Sequence, residues 1–105
     1  FTFVTAVNRA PMWLNKELYM QHLHHIDYTF APFQFDDYEI CARTWLCGLQ
    51  VGWYDAKFKS LSVGGMRLWN SAFTEEQSAK NGRRLYDMYV DKIDSIHEAI
   101  KNSIY

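Results

Sequence analysis

The sequence predicts a mainly α-helical fold with three to four helices and one N-terminal strand, and three patterns support this fold class. Residues 74–103 carry apolar side chains at helical spacing, which predicts a long amphipathic C-terminal helix. Two segments in the first half of the chain begin at capping residues and also keep helical spacing. Residues 1–8 are rich in β-branched and aromatic types, which favours a strand. The alternative is an α+β fold with a small antiparallel sheet from residues 1–8 and 45–73.

The N-terminal strand needs a partner, because its backbone N–H and C=O groups must be hydrogen-bonded when they are covered. For residues 1–8 the second strand comes either from the middle of the chain or from a second copy of the protein. The second source is one reason to predict a homodimer or a higher homo-oligomer.

The first helix is expected to begin after Asn15, whose side chain is of a type that caps helix N-termini. It should run to about Phe30, because Pro32 cannot continue it. Most apolar side chains of this segment project to one side, which is typical of a helix on the surface of a domain.

A second helix is expected to begin at Tyr38, with Asp36 or Asp37 as its N-cap. Its end is ambiguous, because helical spacing and strand alternation both continue to Trp53. We favour one long helix to Trp53. The alternative is a helix that ends near Gly48 and is followed by a strand.

The C-terminal helix has the clearest sequence signals. Thr74 and Gln77 match a capping box at its start, and helical spacing continues to about Ser103. The pair Asn81 and Gly82 could kink or restart the helix, since glycine in a helix interior costs about 1 kcal/mol relative to alanine. The apolar stripe of this helix consists of Leu85, Tyr89, Ile93, Ile96 and Ile100.

The composition is that of one compact domain over residues 1–105, with 49% hydrophobic and 22% charged residues. The chain holds 4 Trp, 7 Tyr and 7 Phe. A domain of this size buries only about 60–70% of its unfolded surface, so part of the aromatic area should remain exposed. Helical position predicts four of these side chains in the core: Tyr19, Phe30, Tyr86 and Tyr89. Trp45 and Trp53 have helical or strand spacing that also suits burial. The predicted exposed surplus is Trp13, Tyr28, Tyr54, Phe58, Trp69 and Tyr105.

No pattern in the chain specifies a reaction or a cofactor. Glu17 and His24 are seven residues apart and would share one face of a helix, with His25 beside them. The i, i+4 histidine pair of a zinc-binding helix is absent from the sequence, so these three residues are weak candidate ligands. We therefore predict no catalytic residue, no metal and no cofactor.

Charge is unevenly distributed, although the net charge is only −1. Residues 56–84 contain six basic and two acidic side chains, whereas residues 15–55 contain six acidic and two basic ones. This pattern favours pairing within the chain, association of unlike surfaces of two copies, or a basic strip that binds nucleic acid. An acidic stripe is predicted on the outer face of the last helix: Asp87, Asp91, Asp94 and Glu98.

Aromatic and basic side chains next to each other indicate an interface with another protein. The predicted partner-binding residues are Trp53, Tyr54, Lys57, Phe58, Lys59, Arg67, Trp69, Arg83 and Arg84. We expect a small non-enzymatic interaction module of adaptor or inhibitor type that also self-associates. Virus-encoded accessory proteins often share this profile, which is an association and not a derivation. The alternatives are a nucleic-acid-associated regulator that uses residues 56–84, and a ligand- or metal-binding protein.

Targeting signals are not evident in the sequence. No apolar run reaches the roughly 20 residues that a membrane span needs, and the N-terminus lacks a signal-peptide pattern. The two cysteines, Cys41 and Cys47, do not form the dense framework of a secreted protein. These features predict an intracellular, cytoplasmic protein without a membrane partner.

Overall fold

The chain forms four α-helices and a two-stranded sheet within the residues that a computed structural model describes, which are 1–8, 12–31, 34–55, 57, 59 and 71–104. In chain order the elements are β1 (Thr2–Phe3), α1 (Lys16–Leu18), α2 (Asp36–Leu46), β2 (Gly52–Trp53), α3 (Ser71–Tyr89) and α4 (Ile93–Asn102). The predicted mainly helical class, the long C-terminal helical region and the N-terminal strand are confirmed.

The N-terminal strand finds its partner within the same chain. β1 pairs antiparallel with β2, with Thr2 opposite Trp53, and the amide of Val4 extends the pairing by donating to the carbonyl of Val51 at 3.1 Å. The strand alternative for this segment is therefore the correct one, and the predicted long helix to Trp53 is wrong. This pairing also removes the strand as a reason to expect a second copy.

Both ends of α2 depend on residues with positive φ. Phe35, at φ 68°, precedes a helix that begins at Asp36, so Asp36 and Asp37 lie in its first turn and are not its N-cap. Carboxylates in a first turn are stabilised by the helix dipole. At the other end Gly48, at φ 82°, donates its amide to the carbonyl of Trp45 at 3.1 Å and ends the helix.

The first helix is shorter than predicted. Asn15 caps it, as expected, and accepts the amide of Leu18 at 3.1 Å. α1 continues as a π-helical turn over Tyr19–Leu23 and ends at His24, which has φ 69°. A separate 3-10 turn, Tyr28–Phe30, follows, so the predicted continuous helix to Phe30 is wrong.

The C-terminal helical region is interrupted by a 3-10 turn at Val90–Lys92, which separates α3 from α4. The pair Asn81 and Gly82 lies inside α3 without interrupting it. The predicted capping box is also wrong, because Thr74 lies inside α3 and the Gln77 side chain donates to the carbonyl of Ala31 at 3.2 Å.

The core lies between α2 and α4 and is closed by the N-terminal segment. The indole N–H of Trp45 donates to the carbonyl of Val4 at 3.0 Å, and Phe3 packs edge-on against the same indole. The buried side chains of this core are Leu23, Ile40, Cys41, Ala42, Trp45, Val51, Tyr89 and Ile96. Two of the aromatic side chains predicted for the core are exposed instead, Tyr86 and Trp53.

Within the described residues no helix is both long enough and apolar enough to cross a membrane.

Candidate protein-interaction site

Several large aromatic side chains in and next to the small sheet are exposed to solvent. Trp53 of β2 is 54% exposed, Tyr54 is 50% exposed, and Phe1 before β1 is 80% exposed. Lys57 and Lys59 follow closely in the chain, and both side chains are exposed. These five residues, Phe1, Trp53, Tyr54, Lys57 and Lys59, are called the aromatic–basic surface.

The small sheet positions this surface against the core. The Phe1 ring lies over Gly52, in space that the Cβ of any other residue would occupy. Phe1 also meets Phe3 edge-on, with ring centroids 5.1 Å apart, and Phe3 in turn meets Trp45 at 6.3 Å. A series of edge-on ring contacts thus connects an exposed side chain to a buried one.

The turn after β2 is ordered by Asp55. Its carboxylate accepts the backbone N–H of Lys57 at 2.9 Å and the Lys57 ammonium at 3.0 Å. The backbone hydrogen bond, followed by the side-chain one, lowers the pKa of the Asp55 carboxyl below its ordinary value. Lys57 itself has a positive φ of 55°.

The two predicted partner-binding arginines of α3 both make contacts within the chain. Arg84 donates to the carbonyl of Thr29 at 2.7 Å and so holds the loop that follows the first helix. Arg83 pairs with Asp87 at 3.1 Å, one turn further along α3, and its guanidinium lies 5.9 Å from the ring centroid of Tyr86. The other predicted residues, Phe58, Arg67 and Trp69, lie outside the described residues.

The four carboxylates of the predicted acidic stripe are exposed but do not follow one continuous helix. Asp87 lies on α3, Asp91 lies in the interrupting 3-10 turn, and Asp94 and Glu98 lie on α4. Asp87 is paired with Arg83, and Asp91 lies 3.8 Å from the ammonium of Lys92. Basic side chains nearby therefore compensate part of this acidic surface.

The weak metal candidates do not form a cluster. Glu17, His24 and His25 are all exposed, and the helix on which Glu17 and His24 would share a face has ended at His24. The backbone carbonyl of His25 accepts a hydrogen bond from Arg43 at 2.7 Å. Among the described residues no three His, Cys, Asp or Glu side chains come close enough together to hold a metal ion.

A groove of about 340 Å³ lies between the segment before α1 and the start of α2, and the sequence analysis missed it. Its lining includes Met12, Leu14, Tyr19 and Ile40, and at one side it includes Asp36 and Asp37 of the first turn of α2. We call it the acidic–apolar groove. The signal that could have pointed to it is the apolar run at residues 12–14, which precedes a helix cap and belongs to no helix stripe.

The acidic–apolar groove continues into a second depression, also of about 340 Å³, which shares the same four apolar residues of its lining. This second part reaches Val51 and Gly52, immediately before Trp53. The groove therefore extends from the acidic start of α2 to the strand that carries the aromatic–basic surface.

A buried polar cluster of Glu39, Arg43 and Tyr89 is the second feature that sequence reasoning missed. The Tyr89 hydroxyl donates to Glu39 Oε1 at 2.6 Å, and Arg43 Nη2 donates to Glu39 Oε2 at 3.1 Å. Arg43 also donates to the carbonyls of Leu23 and His25, both at 2.7 Å. Arg43 thereby provides hydrogen-bond donors to carbonyl groups at and just after the end of the π-helical turn.

The hydrogen bonds of this cluster link α2 to the end of α3 and to the π-helical turn. Burial, together with the hydrogen bond to Glu39 and its charge, raises the pKa of the Tyr89 phenol well above its ordinary value of 10.0. A phenol in that state remains protonated at neutral pH and cannot act as a base. None of the three side chains lines the acidic–apolar groove, so the cluster is closed to a substrate entering there.

Comparison with protein-family models, with curated proteins and with solved structures gives no match for this chain. Inference about function therefore depends on the described surfaces and on their chemistry.

Proposed function

We propose that this protein is a small non-enzymatic protein-interaction module, of adaptor or inhibitor type, that binds its partner through the aromatic–basic surface. The observation that carries this proposal is the presentation of Phe1, Trp53 and Tyr54 at one small sheet, each at least half exposed. Exposed large aromatic side chains that belong to one small structural element indicate a binding role.

The energetics of these side chains favour a protein partner. Each aromatic side chain can hide about 150–250 Å² on burial, and apolar burial contributes about 25 cal/mol per Å². Trp and Tyr are also enriched among the few residues that contribute most of the binding energy at interfaces. Lys59, which follows in the chain, is exposed and adds positive charge, which accelerates association with an acidic partner.

A protein partner is favoured over nucleic acid because acidic groups accompany much of the described basic charge. Asp55 pairs with Lys57, and Asp87 pairs with Arg83. The guanidinium of Arg84 already donates to the carbonyl of Thr29. A polyanion would therefore meet carboxylates at two of these positions, which weakens phosphate binding.

The experiment is affinity capture from the native cell or host with matched variants. Trp53→Ala/Tyr54→Ala removes two aromatic side chains of the aromatic–basic surface. Tyr28→Ala/Tyr86→Ala removes two exposed aromatic side chains from other elements and serves as the control. A partner protein distinct from this chain should be captured by the wild type and the control and lost with the first variant.

The captured partner is then titrated against the purified proteins. The Trp53→Ala/Tyr54→Ala variant should bind at least about tenfold more weakly than the control, which is the size expected of interface anchors. Equal affinity for both variants would contradict the proposal, as would capture of no protein other than this chain.

A further inference from the structure

Within the described residues, one edge of β2 has no strand beside it, because β2 pairs only with β1. Hydrogen-bonded and non-hydrogen-bonded pairs alternate along an antiparallel sheet. The carbonyl of Val51 accepts the amide of Val4. The next pair, Phe3 and Gly52, is therefore a non-hydrogen-bonded one, and the N–H and C=O of Gly52 point away from β1. Neither group makes a hydrogen bond within the described residues.

The acidic–apolar groove borders this free edge. Its lining includes every residue from 48 to 52, but neither of the two β1 residues. The lining also includes buried apolar side chains, among them Leu23 and Ile40, and the half-exposed Leu14. An unpaired strand edge and an apolar depression thus adjoin each other.

This combination suits an extended peptide. A strand that adds to a free edge hydrogen-bonds its own backbone and that of the edge at the same time. Its alternate side chains point to one face, where an apolar groove can bury them. A helix in the groove has no free backbone groups to offer, so it would cover the N–H and C=O of Gly52 without bonding them, which costs free energy.

We propose that the partner protein of the aromatic–basic surface contributes an extended apolar segment, which pairs with the free edge of β2 as a third strand and places alternate side chains in the acidic–apolar groove. This inference rests on the proposed function, because it names how the same partner binds. The two sites are continuous, since the groove reaches Gly52 and the exposed aromatic side chains of β2 begin at Trp53.

The first test uses a phage-displayed library of random peptides of about ten residues, the upper length of common strands. Peptides are selected on the purified full chain and counter-selected on Leu14→Glu, which places a charge in both parts of the groove. Met20→Glu is the matched control, because Met20 is 57% exposed, Leu14 is 54% exposed, and Met20 lines neither part. Surviving peptides should bind Met20→Glu as tightly as the wild type.

The second test distinguishes an added strand from docking through side chains alone. N-methylation of single amides in a selected peptide removes one backbone donor at a time. Donors that face β2 alternate with donors that face away from it. Methylation should therefore weaken binding at least about tenfold at every second position and have little effect at the positions between.

The third test locates the added strand on this chain by amide hydrogen exchange followed by NMR. The Gly52 amide should exchange at least about tenfold more slowly when a selected peptide saturates the protein, because it is then hydrogen-bonded. The same peptide methylated at a position that faces β2 is the control and should leave the exchange unchanged. The second and third tests use the wild-type chain, so they apply even if Leu14→Glu is unfolded.

Three results overturn the inference: no peptide survives the counter-selection, methylation effects do not alternate, or Gly52 exchange does not slow. A wild-type dimer that Leu14→Glu dissociates, measured by size exclusion with light scattering, also overturns it, because a second copy would then occupy the groove.

The proposed function fails separately. In affinity capture, a partner that is lost with Trp53→Ala/Tyr54→Ala but retained by Leu14→Glu contradicts only the added strand. Peptides that pass all three tests while no partner protein is captured contradict only the adaptor or inhibitor role.

Discussion

Two ion pairs with the same i, i+4 spacing, Glu39–Arg43 on α2 and Arg83–Asp87 on α3, lie in opposite environments. The side chains of Glu39 and Arg43 are 3% and 19% exposed, whereas those of Arg83 and Asp87 are 76% and 57% exposed. An exposed pair is screened by water and contributes about 0–1 kcal/mol. A buried pair that loses one member leaves an uncompensated charge in the interior. The same spacing therefore contributes differently to the free energy of unfolding in the two places.

The buried pair is also connected to other elements, whereas the exposed pair remains on one helix. Glu39 accepts a hydrogen bond from Tyr89 at the end of α3, and Arg43 donates to backbone carbonyls at the end of the first helix. Arg43 Nε lies 3.0 Å from Glu39 Oε1 but makes no hydrogen bond within the described residues, so the Nη groups provide the directional contacts. Three segments therefore depend on one carboxylate.

The largest expected effect is that of Glu39→Gln, which keeps the shape of the side chain and removes its charge. It leaves Arg43 without its counter-charge in the interior and should lower the free energy of unfolding by about 3 kcal/mol. The matched variant in the exposed pair, Asp87→Asn, should change it by less than about 0.5 kcal/mol. Urea denaturation at neutral pH measures both, and equal losses would contradict the contrast between the two pairs.

Asn81→Ala extends the comparison to an uncharged buried group. The Asn81 side chain is fully buried and donates to the carbonyls of Phe30 and Gln34 at 3.0 and 3.1 Å. Its removal leaves those carbonyls without this donor and should cost about 2 kcal/mol. The control Lys80→Ala, at an exposed neighbouring position, should be nearly neutral in the same denaturation experiment. If Asn81→Ala lowered the free energy of unfolding no more than Lys80→Ala, the hydrogen bonds of Asn81 to Phe30 and Gln34 would not stabilise the fold.

Tyr89→Phe tests the buried cluster through pH. At neutral pH the lost hydrogen bond to Glu39 should cost about 1–1.5 kcal/mol. Because the pKa of Tyr89 is raised in the folded state, the unfolded chain releases this proton first as the pH rises past the ordinary value of 10.0. The contribution of Tyr89 is therefore complete below about pH 10 and is lost above it.

The stability difference between wild type and Tyr89→Phe should consequently shrink as the pH rises above about 10. Tyr86→Phe is the control, because the Tyr86 side chain is 59% exposed. Denaturant titrations between pH 7 and pH 11 give the comparison, and a difference that stays constant over this range would rule out the raised pKa.

The smallest effects separate two neighbouring arginines. Arg84→Ala removes the hydrogen bond to the carbonyl of Thr29 and should cost about 1 kcal/mol. Arg83→Ala removes an exposed ion pair and an exposed contact with the Tyr86 ring, and it should cost less than about 0.5 kcal/mol. Thermal melting of the two variants side by side tests the order. If Arg83→Ala were the more harmful change, the structural role assigned to Arg84 would be wrong.

Local signals in the sequence were sufficient for several features of the fold. Asn15 was predicted as a helix cap and is one, because its side chain bonds an amide only three residues away. Trp45 and Tyr89 were predicted for the core from helical spacing and are buried. Such features depend on residues within one or two turns, which a sequence pattern contains.

Features decided by distant residues were not predicted correctly. The segment at Trp53 fits a helix and a strand equally well by spacing, and pairing with Thr2 makes it a strand. The first helix ends early, where Arg43 of α2 binds the carbonyls of Leu23 and His25. Gln77, which matches a local capping box, bonds to Ala31 instead.

The aromatic–basic surface and the acidic–apolar groove differ in the same way in how far the sequence predicts them. The sequence by itself predicted Trp53, Tyr54, Lys57 and Lys59 for an interface, because they are neighbours in the chain, whereas Phe1 joins them only through the pairing of β1 with β2. Only the tertiary structure decided the acidic–apolar groove, since it joins residues 12–14 to the start of α2 and to Gly52. The physical reason is range: caps, spacing and charge act within a few residues, whereas a concave site forms only when packing brings distant segments together.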